Sequence, residues 1–168
     1  MSAVKESALR LAKKEIVKEI VNKLQTAKSL VTAEYRGLTV AELTKLRRLA
    51  KKNNIDIKVY KNRLFKLAAQ ELGYSDLSEH LVGPNIFAFG VEDELAPYKL
   101  LANFAKENKI FVNKAGLFEG KVVNAQGVAE IATLPNYQEA LTILARSLMG
   151  GLQQLSLSLK LVSEKKEA

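Results

Sequence analysis

The sequence predicts an α/β (α+β) fold: a mixed β-sheet with packed helices, followed by a protruding C-terminal helix. Three observations carry that reading. Segments with apolar residues at helical spacing alternate along the chain with short segments at strand spacing. Hydrophobic residues make up 48% and charged residues 26% of the 168, which suffices for a core and excludes wholesale disorder. After Pro135 the alternation stops, and a single long apolar segment takes over.

The first element is an amphipathic helix over residues 3–25. Leu9, Ala12, Ile16, Ile20 and Leu24 form its stripe, Val17 and Val21 widen it, and lysines fill the other positions. Ser29 to Tyr35 is a short β-branched apolar run suited to a buried strand. Arg36-Gly37 breaks it, and Thr39 with Glu42 three residues on reads as a capping box opening a helix that ends near Asn53-Asn54. Ile55 to Tyr60 alternates with period two, as a half-buried strand does. Asn62 begins another helix, with Leu64, Leu67, Ala68 and Leu72 inward, stopped by Gly73. Gly83-Pro84 leads into a strand over Asn85 to Gly90, and a helix follows from about Ala96 to Asn108. Ile110–Phe118 and Lys121–Val123 read as strands joined at Glu119-Gly120, and Ala125–Thr133 as a short helix.

The last segment differs in kind. From Tyr137 to Val162 only Glu139, Arg146 and Lys160 are charged. Leu141, Leu144, Leu148, Leu152, Leu155, Leu159 and Val162 advance by threes and fours, the rhythm of a helical seam. Gly150-Gly151 sits midway and is expected to weaken or bend the helix, since glycine costs ~1 kcal/mol against alanine there. Such a helix packs on the domain's own core, docks partner helices, or lies on a membrane. The last is disfavoured because its polar side carries Gln and Ser with few cations.

Catalytic chemistry finds little to stand on. The absence of cysteine excludes disulfides, thiolate metal sites and cysteine nucleophiles. A lone His80 excludes histidine clusters, and no Walker loop, GxGxxG, HExxH or GxSxG motif occurs. Glu92, Asp93 and Glu94 are consecutive and read as a solvated loop. No enzyme, metal or cofactor is expected. The charged start Met1-Ser2-Ala3-Val4-Lys5-Glu6 lacks the apolar run of a secretory signal, and no transmembrane stretch is present, so a cytosolic protein is expected.

Charge is more informative. Residues 1–66 hold 17 Lys/Arg against 6 Asp/Glu, whereas residues 67–168 hold 9 against 12. A basic excess confined to one part of a chain points to a polyanion; a solvated lysine-rich surface is the plainer alternative. Arg36-Gly37 falls at one strand-to-helix junction and Lys61-Asn62-Arg63 at the next. There backbone N–H groups face outward and an approaching phosphate is favoured. Lys58 lies on the strand face opposite Ile57 and Val59. If the junctions adjoin, Arg36, Lys58, Lys61 and Arg63 form one cationic patch suited to RNA, with Asn62 able to read a base edge or sugar hydroxyl. Arg47, Arg48, Lys51 and Lys52 either extend it or are a solvated helix face.

Tyr35-Arg36-Gly37-Leu38-Thr39-Val40, Val59-Tyr60-Lys61-Asn62-Arg63-Leu64, Leu81-Val82-Gly83-Pro84-Asn85 and Ala132-Thr133-Leu134-Pro135 follow one another in order. Together they resemble the bacterial ribosomal stalk-base family, protein ten of the large subunit. The resemblance implies an rRNA-binding α/β domain over residues 1–134 that binds 23S rRNA at the base of the stalk, with Arg36, Gly37, Lys58, Lys61, Asn62 and Arg63 on the RNA side. It implies further that residues 135–168 form a helix gathering dimers of the acidic stalk protein, which recruit translation factors. Leu141, Leu144, Leu148, Leu152, Leu155 and Leu159 are then the dimer-binding seam, long enough for two dimers per chain. A neighbouring stalk-base ribosomal protein is also implied as a partner. The alternative is an RNA-binding translational regulator whose C-terminal helix self-associates.

Overall fold

The computed structural model describes residues 8–74, 76–91, 93–108 and 110–167. The expected helical residues 3–7 lie outside them, as do the side chains of Leu9 and Leu152. The described chain divides into two compact units between Thr133 and Leu134.

The first unit carries α1 (Ala8–Thr26), β1 (Ser29–Glu34), α2 (Val40–Lys52), β2 (Ile55–Lys58), α3 (Asn62–Glu71) and α4 (Leu77–His80). It continues with β3 (Asn85–Gly90), α5 (Ala96–Glu107), β4 (Val112–Phe118), β5 (Lys121–Asn124) and α6 (Ala125–Thr133). The five strands form one sheet in the order β2-β3-β1-β4-β5. The α+β class holds, with one correction inside it: every ladder is antiparallel rather than mixed. Strand–helix–strand alternation does return the chain in the same direction, but one place further out than a parallel neighbour. β3 fills the gap between β1 and β2, and β1 fills the gap between β3 and β4.

Helices cover both faces of the sheet, and strand alternation sorts the core into two halves. Val31, Ala33, Ile86 and Ala88 face the cluster that includes Leu46 of α2, Leu101 and Phe104 of α5 and Val128 of α6. Leu30, Phe87 and Phe89 face the other cluster, with Ile20 and Leu24 of α1, Phe65 of α3 and Leu77 of α4. Phe65 stacks on Phe87 with ring centroids 4.0 Å apart. β1 is buried almost throughout because it is the central strand and both of its faces are covered.

Local signals set the connections. The Thr39–Glu42 capping box forms as the sequence predicts: the Glu42 carboxylate accepts the Thr39 N–H at 2.7 Å, and the Thr39 hydroxyl accepts the Glu42 N–H at 3.3 Å. Glu119 and Gly120 both adopt positive φ in the β4–β5 turn. The register of β4 on β1 shifts between Thr32 and Ala33, which leaves Lys114 without a partner in the ladder. The buried Thr32 hydroxyl donates to the Ala115 carbonyl beside this bulge, at 2.9 Å.

The second unit is α7 (Tyr137–Glu167), preceded by Asn136, whose N–H the Glu139 carboxylate accepts at 2.9 Å. The expected weakening at Gly150-Gly151 does not interrupt it: helix continues through both glycines. Glycine lowers helix stability without dictating a direction, and the good helix formers on either side propagate the turns across it. No described side chain of α7 is buried; Leu148 is 75% and Leu159 63% exposed.

Candidate nucleic-acid interface

Strand register decides which junctions meet. Lys58 pairs with Phe87, and Glu34 pairs with Asn85, so the C-terminal ends of β2 and β1 lie at one end of the sheet on either side of β3. Tyr35–Thr39, Val59–Lys61 and Leu81–Pro84 therefore share that end. Gly37 has φ +90, and a Cβ there would stand 3.0 Å from Cγ2 of Ile110, so the segment before β4 joins the cluster. Arg36, Lys61 and Arg63 are exposed, and none of the three is in an ion pair among the described residues. The two basic junctions thus lie together, as the sequence reading requires of a single patch.

The two helix N-termini of this end differ. That of α2 is closed by its own Thr39–Glu42 box, and hydrogen bonds from Thr39 hold the Glu42 carboxyl below its usual range. The N-terminus of α3 has no side-chain cap and no acidic residue in its first turn, while Lys61 and Arg63 flank it. An anion therefore finds open N–H groups at α3 and an occupied site at α2. This narrows the expectation that both junctions offer free amides.

Two residues assigned to the patch from sequence are held by the protein itself. The Lys58 ammonium donates to the Glu19 carboxylate of α1 at 2.8 Å, and the Tyr60 hydroxyl donates to the same oxygen at 3.0 Å. Lys23 pairs with Asp56 beside them. Lys58 first, then Tyr60, draw the Glu19 carboxyl below its usual range. Burial, together with that carboxylate, pushes the Tyr60 hydroxyl up to about 12. A carboxyl depressed in the folded state stabilises the fold above its unfolded value of 4.5 and loses that effect as pH falls through its folded value. Thermal unfolding of wild type and Glu19→Gln should therefore differ at pH 6, and the gap should narrow below about pH 4. A gap that stays constant from pH 6 to pH 3 would mean that the network contributes nothing through the Glu19 charge.

Asn62 is half-buried and turned inward: its Nδ2 donates to the Gly83 carbonyl at 2.7 Å, and its Oδ1 accepts from Asn85 Nδ2 at 3.4 Å. Sequence reasoning missed Lys114, whose ammonium pairs with Glu34 at 2.5 Å and donates to the Val82 carbonyl at 2.6 Å. The one available signal was a cation within a strand of mostly apolar residues; the bulge that releases it has no mark in the sequence.

Other candidates recede. Among the described residues no group of His, Asp or Glu is arranged to hold a metal, and no helix is long and apolar enough to cross a membrane. Glu92 of the carboxylate run lies outside the described residues. His80 ends the short α4, half-buried.

On α7, Leu141, Leu144, Leu148, Leu155 and Leu159 are all exposed. Ile143, Leu157 and Leu161, also exposed, lie roughly half a turn round from that seam. Hydroxyls among them are satisfied within the helix: those of Thr142, Ser147 and Ser158 donate to the carbonyls of Gln138, Leu144 and Leu155 at 2.8 Å each. Burying them against a partner would strand no donor.

Residues 8–106 match the family model described as Ribosomal protein L10. The chain is 62% identical over 164 residues to the large ribosomal subunit protein uL10 of Mycoplasmopsis synoviae, covering 97% of this chain and 99% of that protein. It is 60% identical to the uL10 protein of Mycoplasmopsis pulmonis, with 94% of each covered. It is 42% identical to that of Bacillus cereus, with 92% and 93% covered. A model match over more than half the chain, with relatives this similar along nearly all of it, makes this chain a member of the ribosomal protein L10 family.

Proposed function

We propose that the first unit binds 23S rRNA at the stalk base through the end of the sheet where Arg36, Lys61 and Arg63 converge, and that α7 anchors acidic stalk-protein dimers. The family places the chain in the large ribosomal subunit of the cytoplasmic ribosome, as a structural protein and not an enzyme. The observation that carries the RNA reading is the convergence of three exposed cations on two adjoining junctions, one with an uncapped helix N-terminus. Arg forks grip phosphate oxygens two at a time. The described structure offers no row of exposed aromatic rings for stacking bases, so recognition of folded RNA by shape and backbone suits the patch. Lys58 contributes to the field of that end from within its pair with Glu19.

For α7 the support is a long helix with apolar side chains exposed on more than one side. Such a helix needs partners that wrap it, and a helical dimer supplies two surfaces at once. Neighbouring ribosomal proteins at the stalk base are further partners of this reading.

The test is a native mass of the full chain mixed with a stalk-base rRNA fragment and acidic helical dimers. One chain, one RNA and two dimers are expected. A homo-oligomer that takes up no dimers would favour the self-associating regulator instead. A fragment ending at Leu134 should fold, keep the RNA and lose the dimers, because the chain divides into its two units at that point. Unfolding of the fragment would show that α7 is part of the core.

A further inference from the structure

Three consecutive carbonyls in the loop before β3 are each taken by a different element. Val82 accepts from Lys114 of β4 at 2.6 Å, Gly83 accepts from Asn62 of α3 at 2.7 Å, and Pro84 accepts from the Tyr35 N–H at the end of β1 at 3.4 Å. Gly83 makes this possible with φ +78, a conformation that L side chains resist, so successive carbonyls point in different directions. The ends of the clamp are secured in turn: Glu34 pairs with Lys114, and Asn85 donates to Asn62. The donor to Gly83 must be the Asn62 nitrogen, which makes its oxygen the acceptor toward Asn85 and fixes both amides. Arg36 is one residue from Tyr35, and Lys61 and Arg63 flank Asn62. The spacing between the two basic junctions is thus set by a loop that carries no charge.

We propose that Val82-Gly83-Pro84 is the keystone of the RNA-binding end, and that Asn62 and Lys114 are positioning residues that hold the cationic junctions rather than contacts to RNA. This rests on the reading that this end binds RNA. Phosphate recognition by several cations depends on their mutual spacing, so loosening the loop costs affinity while removing no charge. It also gives Asn62, placed among the RNA-side residues from sequence, a role in holding the site.

The test uses the full chain and a stalk-base rRNA fragment, with variants that conserve net charge: Asn62→Ala, the pair Glu34→Gln with Lys114→Met, and all three together. Each of the first two should weaken RNA binding about tenfold at an unchanged salt slope. The triple variant should lose less than the product of the two, because both release one loop. Without RNA, Asn62→Ala should speed hydrogen exchange at the Tyr35 amide, which bonds the same loop. Weakened RNA binding with unchanged Tyr35 exchange would make Asn62 a direct contact and overturn the proposal. Faster exchange with full RNA affinity would overturn it equally, since the loop would then not set the site. Failure of Arg36→Ala to weaken binding would reject the RNA reading itself, which the exchange measurement does not depend on.

Discussion

Replacing Arg36, Lys61 and Arg63 together with alanine is expected to lower affinity for stalk-base RNA on the order of a hundredfold at physiological salt, and to flatten its salt dependence. Each phosphate contact releases condensed counterion, worth a slope of about 0.7–0.9 in log affinity against log salt. Three lost contacts therefore make the slope shallower by about 2–3. The three side chains are exposed, so the substitutions leave the core untouched and the folded protein can be compared directly. Arg47→Ala with Lys51→Ala is the control: both are exposed on α2, away from the converging strand ends, and should cost less. Unchanged slope and affinity in the triple variant would remove the patch; a larger loss in the control would move it to α2.

The second large effect concerns α7. Its 31 residues span roughly 46 Å at ~1.5 Å per residue, but the apolar seam ends at Val162, with charged residues following. Three turns, about ten residues, bury a useful seam, so two dimers fit and a third does not. Leu144 and Leu155 are eleven residues apart, roughly 16 Å along the axis and more than a helix diameter. Leu144→Asp should remove one dimer and Leu155→Asp the other, each leaving a native mass one dimer lighter, because burying an unpaired carboxylate in an apolar seam is prohibitive. The helix continues through Gly150-Gly151, and the expected independence of the two sites rests on their distance along it. Three bound dimers, or loss of both from either single change, would overturn the two-site division.

Much of this was legible in the residues. The capping box at Thr39 and Glu42, the alternation in Ile55–Lys58 and the Gly-containing turn at Glu119-Gly120 are signals within a few residues of one another. They involve nearest neighbours along the chain, so no knowledge of the fold is needed to read them. Strand order is different. The alternation of helix and strand implies the direction in which each strand returns, but not that another strand fills the gap, because that pairing joins residues about 30 to 90 apart in sequence.

The fate of individual charged and polar side chains divides along the same line. Arg36, Lys61 and Arg63 are cations at loop junctions, and such positions stay in solvent whatever the topology. Lys58 and Asn62 belong to the same motifs by sequence, yet one is held by Glu19, 39 positions earlier, and the other by Gly83, 21 positions later. The sequence by itself determined most of the elements, the confinement of the basic excess to the first 66 residues and the apolar run after Pro135, because each is a property of local composition and spacing. Only the tertiary structure decided which junctions adjoin, which cations are already paired, and that Lys114 is released at a bulge to grip Val82. Those outcomes depend on partners that the chain brings into contact only when the sheet closes between its two layers of helices.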